Sequence, residues 1–174
     1  MKAIVYTSNT GHTQKYAELL AERLGLPVYP LEGARGALKK GDEIIYLGWV
    51  MAGGVQGYKD AAAYFSVRMV CAVGMGAAGT QLEEIRSGNQ IPASTALFTL
   101  QGGYAIEKLR GVQKLMMRLI TKATAKKLAQ KPDRTPEDAD MLDLLTHGGS
   151  RVSMAQLEGP VRWYLEQENT KNEQ

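Results

Sequence analysis

Apolar and polar residues follow two rhythms over the first hundred positions. Ala3–Thr7 is a short apolar, β-branched run with little alternation, the pattern of a strand covered on both faces. From His12 to Leu24 the apolar positions Tyr16, Leu19, Leu20 and Leu24 recur at helical spacing, and Gly25 ends the run. The same rhythms then repeat. Pro27–Leu31 predicts a short strand, Glu43–Val50 a stronger one, Tyr58–Ser66 a helix and Arg68–Gly74 a buried strand. Thr80–Arg86 predicts a short helix and Thr95–Leu100 a fifth strand. Apolar strands separated by helices predict an α/β fold with a parallel sheet covered on both faces. Five such strands suit a doubly wound sheet in the order 2-1-3-4-5, with its ligand beyond the strands' carboxyl ends.

After Gln101-Gly102-Gly103 the character changes. Lys108–Leu128 predicts an amphipathic helix with Leu109, Val112, Leu115, Met116, Leu119, Ile120 and Ala123 on one stripe. Thr135-Pro136-Glu137 has the form of an N-cap followed by proline at the first helical position, and Gly148 terminates that helix. Pro160–Glu168 predicts a last helix with Trp163 and Leu165 as packing anchors, followed by a polar, fraying tail from Asn169. The 174 residues suit one domain: a core over 1–103 plus the last helix, with a helical insertion over 104–149.

Composition adds limits. The chain is 44% hydrophobic and 22% charged, ordinary for a globular protein, and no apolar run is long enough to span a membrane. The N-terminus runs straight into the first strand without the features of a signal peptide, so the cytoplasm is the expected location. Cys71, the single cysteine, sits in a buried-strand setting and reads as a small hydrophobe. The net charge of +3 is unevenly spread. Nine of the 21 basic residues lie between Lys108 and Arg134, where Asp133 is the only acid.

The segment richest in chemistry is Thr7-Ser8-Asn9-Thr10-Gly11-His12-Thr13, between the first strand and the first helix. It offers hydroxyls, an amide and a glycine, with no Lys or Arg. Backbone N–H groups and the dipole of a helix N-terminus hold a phosphate with hydroxyl support alone. A Walker loop, Gly-x-x-x-x-Gly-Lys-Ser/Thr, is absent. The competing reading is a hydroxyl-rich turn that caps the helix.

The loop resembles the Ser/Thr-x-Thr-Gly-x-Thr segment with which flavodoxins hold the FMN phosphate, and it lies after the first strand as that family requires. The resemblance covers Met1 to about Gly103 plus a final helix, and implies a flavodoxin-like fold with non-covalently bound FMN. Two further loops fall where flavodoxins meet the flavin ring: Gly48-Trp49-Val50-Met51-Ala52-Gly53-Gly54 after the third strand and Gly74-Met75-Gly76-Ala77-Ala78-Gly79 after the fourth, with Trp49–Gly53 and Met75–Ala77 as the implied contacts. Trp49 and Met51 are then ring-lining residues; the alternative for Trp49 is simple core filling. Gly74-x-Gly76-x-x-Gly79 also fits a dinucleotide fingerprint, but that motif belongs to the first βα turn, and the required acid about 20 residues on is missing.

Flavodoxins are acidic carriers, whereas this chain is basic. Leu100-Gln101-Gly102-Gly103-Tyr104 followed by Lys114–Ile120 resembles the flavodoxin-like, menaquinone-dependent protoporphyrinogen oxidases. That resemblance implies FMN passing electrons from protoporphyrinogen IX to a quinone. The alternative is a non-catalytic electron carrier whose basic helix docks a redox partner protein. The stripe of Lys108–Leu128 has two destinations: its own core or a homodimer interface, or the surface of an anionic bilayer. Nucleic-acid binding ranks last, because the basic stretch lacks interleaved aromatics. No acid–base constellation stands out, and catalytic residues are unassigned. His12 either orients the phosphate or is simply exposed, and His147 reads as a partner of a helix C-terminus. Two histidines and one cysteine without clustering do not suggest a metal site.

Overall fold

A computed structural model describes residues 1–172. Its centre is a parallel sheet built from β1 (Ala3–Thr7), β2 (Val28–Pro30), β3 (Glu43–Met51), β5 (Ser66–Gly74) and β6 (Ala96–Gln101). Their spatial order is β2-β1-β3-β5-β6, and the two-residue strand β4 (Gly54–Val55) turns back antiparallel on β3. This is the flavodoxin-like order expected from the five apolar runs.

The physical basis of the sheet is burial on both faces. Along β3, Ile45 and Leu47 join the layer formed with Ile4, Tyr16, Leu20, Met69 and Cys71. Ile44 and Tyr46 point the other way, to Val5, Tyr58, Val70, Ile85 and Ile91. Helices α1 (His12–Leu24) and α7 (Glu158–Asn172) cover the first face. Helices α2 (Leu31–Ala37), α3 (Tyr58–Tyr64) and α4 (Leu82–Asn89) cover the second. Cys71 is fully buried, and desolvation pushes its thiol up to about 12.

The structure departs from the sequence pattern in several places: Ser66, expected in a helix, opens β5, and the helix expected over Thr80–Arg86 runs over Leu82–Asn89. Leu31–Ala37 is helical, although its apolar content is too thin to show a periodic face. The β3–β4 hairpin is invisible because its return strand is only two residues long. The last helix begins at Glu158 rather than at Pro160. The basic helix α5 is Gly111–Gln130 rather than Lys108–Leu128, because Leu109 and Arg110 adopt extended backbone and break it from a 3-10 turn at Ile106–Lys108.

After β6 the chain leaves the sheet through β7 (Gly103–Tyr104) and returns through β8 (Gly149–Ser150), which pair antiparallel. The loop so closed carries α5 and α6 (Pro136–His147). The Thr135 hydroxyl accepts from the Asp138 N–H, and the Asp138 carboxylate accepts from the Thr135 N–H, a reciprocal cap that starts α6. Lys131 closes on the same carboxylate from the end of α5. His147 ends α6 beside Asp143, at 3.0 Å.

Gly48 marks where the sheet meets its hairpin: a Cβ there would stand 2.6 Å from Val55 Cγ1 and 2.8 Å from the Gln56 carbonyl. Gly48→Ala should therefore cost about 1–3 kcal/mol of stability. Gly36→Ala, with nothing within 4 Å of the added carbon in a helix, should be neutral or gain up to about 1 kcal/mol. Urea unfolding of the two variants beside the wild type measures both effects.

Candidate functional site

Because every long strand runs parallel, their carboxyl ends share one edge, and the loops leaving them converge. The first loop turns at Gly11, whose φ of +95° is left-handed and suits glycine alone. The Ser8 hydroxyl accepts from the Gly11 N–H at 3.2 Å and closes the turn. No side chain caps α1, so its first-turn N–H groups are left for an incoming acceptor. The next loop follows β3, where Ala52 and Gly53 both have positive φ. Asn89, buried at the end of α4, fastens this hairpin: its Oδ1 accepts from the Val55 N–H at 2.7 Å, and its Nδ2 donates to the Gly53 carbonyl at 2.9 Å. An unfavourable backbone is thus held by a satisfied amide.

Together the loops enclose a cavity of about 460 Å³. Asn9, Thr10, His12 and Thr13 line it from the first loop, Trp49, Val50, Met51 and Ala52 from the second, and Val73, Gly74 and Met75 from the third. Gly102, Gly103, Tyr104 and Ala105 add a fourth side, and Leu109, Val112, Met116, Met117 and Ile120 a wall from the insertion. Of the residues expected at the site, Ser8 and Gly11 act by shaping the first turn, and Gly53 lies in the fastened hairpin. Gly76 and Ala77 stand back from the cavity, in a turn closed by the Thr80 hydroxyl on the Ala77 carbonyl at 2.6 Å. Trp49 is half-buried and faces the cavity rather than filling the core.

The family model described as Flavodoxin domain matches residues 3–131 of the chain, well over half of its 174 residues. The chain belongs to this flavodoxin family. The matched span runs from β1 through the end of α5, so it includes the wall of the cavity as well as its loops. No curated protein matches the chain. Flavin binding and electron transfer are the general role of such a domain, and that role attaches to the chain with its family.

Three features of this flavodoxin domain were not legible as site residues. Lys108 is the first. It comes from the insertion, 98 residues from Thr10, and its ammonium donates to the Thr10 carbonyl at 3.1 Å. A loop with no cation of its own sequence thereby gains one. The second is the pair Gly102-Gly103: a Cβ at Gly102 would lie 2.7 Å from Val73 Cγ1 and 3.2 Å from the His12 Cβ, so the fourth loop fits only without a side chain. The third is a polar brace. Gln101 Nε2 donates to Asp140 Oδ2 at 2.7 Å and to the Met75 carbonyl at 3.3 Å, while Arg151 Nε donates to Asp140 Oδ1 at 2.8 Å. It joins α6 to the third loop. No local pattern signals these contacts: Lys108–Thr10 spans 98 residues and the two Gln101 contacts 26 and 39, and even Arg151–Asp140, 11 apart, joins separate elements.

His12 sits between the first loop and the β7–β8 ribbon, with Nδ1 at 3.0 Å from the Thr10 hydroxyl. Burial and the Lys108 ammonium hold its imidazole below the ordinary value of 6.5, outweighing Glu107 and a bond to the Gly149 backbone. The neutral form therefore belongs to the folded loop. The unfolded chain takes up the proton first, so this contribution to stability is full above pH 6.5 and is lost as pH falls below it towards the folded value. An NMR titration should place the His12 midpoint below 6.5. Between pH 7 and pH 5 the wild type should lose more stability in urea than His12→Asn does. A midpoint at or above 6.5 would contradict the assignment.

Proposed function

We propose that this domain holds FMN without covalent attachment and exchanges electrons between it and a bulky apolar reactant seated beside the ring. The observation that supports this most is the cavity itself. Its volume of about 460 Å³ falls within the roughly 300–1,000 Å³ typical of small-molecule sites, and its lining is mostly apolar. A carrier that meets protein partners through a shallow flavin edge has no use for an apolar wall such as Leu109, Met116 and Met117. Protoporphyrinogen IX as reductant and a quinone as acceptor suit such a wall, since the ring system of each is bulky and apolar, with the two propionates of the first left to water.

The residues present fit FMN in two respects. At the phosphate end, the first loop offers the uncapped N-terminus of α1 and the cavity-lining Thr10 and Thr13, and the Lys108 ammonium joins it through the Thr10 carbonyl. At the ring end, Trp49, Met51 and Met75 offer flat or pliable apolar contact, and the small residues Ala52, Gly74 and Gly102 let backbone come close. When bound, FMN supplies the redox chemistry. The chain's part is to bind and orient it, to keep His12 neutral beside Lys108, and to shield the reacting face from water with the α5 side chains.

FMN should bind at least tenfold more tightly than riboflavin, since the first loop is built for a terminal phosphate. Lys108→Ala should weaken FMN by roughly 5-fold, the loss of about 1 kcal/mol for a partly exposed charge, and leave riboflavin unchanged. Thr10→Glu should abolish FMN uptake. In a Trp163→Phe background, Trp49 emission should be quenched as FMN is added. Equal affinity for FMN and riboflavin would remove the phosphate from the first loop.

A naphthoquinone should oxidise the reduced, FMN-loaded protein with saturation. Met117→Glu, which places a charge in the apolar wall, should raise the half-saturating concentration at least tenfold. A rate that rises linearly with quinone and ignores Met117→Glu would return the protein to the carrier reading.

A further inference from the structure

Helix α5 packs on the protein with its less apolar side. Thr121 is buried there, its hydroxyl donating to the Tyr104 hydroxyl at 2.9 Å, with Met117 and Leu128 half-buried alongside. The opposite side carries Val112, Leu115 and Leu119, which are 75%, 61% and 64% exposed. An amphipathic helix whose packing is complete turns such a stripe inward; here it faces out. At 100° per residue Arg118 and Lys122 border the stripe on one side, while Lys126 and Lys127 continue the same face towards the C-terminal end of the helix. Among the described residues none of these four makes an ion pair, and Gly111–Gln130 contains no acid.

We propose that this face of α5 docks on the surface of an anionic lipid bilayer. Charge selects the occupant. A second copy would set the same cations against one another across the interface with no acid to offset them. An anionic headgroup layer over acyl chains offers both complements at once, negative charge at the borders and apolar depth under the stripe. The helix lies along the surface, since no described helix is long and apolar enough to cross a membrane. The stripe is also continuous with the cavity. Val112, Met116 and Ile120 belong to both, so docking opens the cavity towards lipid rather than water. Docking depends on the helix and not on the flavin, so it stands or falls separately from the proposed function.

The test is co-sedimentation of the full chain, with and without added FMN, on vesicles of phosphatidylcholine mixed with phosphatidylglycerol and on phosphatidylcholine alone. Each cation near an anionic surface is worth roughly 5-fold in affinity. The protein should bind the mixed vesicles at low salt and lose at least tenfold on neutral vesicles or at high salt. Lys122→Glu/Lys126→Glu and Leu115→Asn/Leu119→Asn should each cost at least tenfold. Neither pair lines the cavity, so circular dichroism and FMN content should stay as in the wild type. The proposal is overturned by absence of binding to mixed vesicles at low salt, or by binding that ignores the leucine pair. It is equally overturned by a dimer in sedimentation velocity that the leucine pair dissolves, which would assign the stripe to a second copy.

Discussion

Burial of both faces of one parallel sheet is the constraint on which the rest of the molecule depends. Ile44 and Tyr46 must reach one layer and Ile45 and Leu47 the other, so β3 tolerates no slip by a single residue. Register then follows across the sheet, with Ile4 beside Ile45 and Val5 beside Tyr46. Parallel strands held in register finish together, and that common end gathers loops from residues 8–11, 50–53, 74–81 and 102–105 around one space. The site is a consequence of how the core is filled.

A second, smaller device decides what that space is for. The β7–β8 ribbon closes the long excursion of α5 and α6, so the insertion enters and leaves at the same corner of the sheet. From that corner the Tyr16 hydroxyl donates to the Gln101 carbonyl at 2.7 Å, and Gln156 holds the Gln101 N–H at 2.6 Å. Anchored so, the insertion sends Lys108 to the first loop and an apolar wall across the mouth of the cavity. Charge and apolar surface arrive from one segment but go to different places. The short 3-10 turn at Ile106–Lys108 carries the cation, and α5 carries the wall.

Placement of α5 links electrostatics to packing. Its inner side is secured by a hydroxyl pair and by the half-buried Met117, Ala125 and Leu128. Its outer side keeps the larger hydrophobes. Such an arrangement leaves apolar surface in water unless something covers it, and it gives the helix a reason to be ringed by positive charge.

The amino-acid sequence by itself determined the sheet. Runs such as Ile44–Leu47 and Met69–Val73 are apolar on both faces and too short for helices, so strand, parallel pairing and the doubly wound order follow from local pattern. It also marked the first loop, because hydroxyls, glycine and a following amphipathic run are neighbours in the chain, and it marked the capped start of α6 at Thr135. What the tertiary structure alone decided are the encounters between distant segments: Lys108 at Thr10, Asn89 under the 50–53 hairpin, Gln101 between Met75 and Asp140. It decided as well which side of α5 faces the protein. Periodicity shows that a helix has an apolar side but not where that side points. Direction is set by the ribbon and by the Tyr104–Thr121 contact, and these exist only once the sheet has brought their ends together.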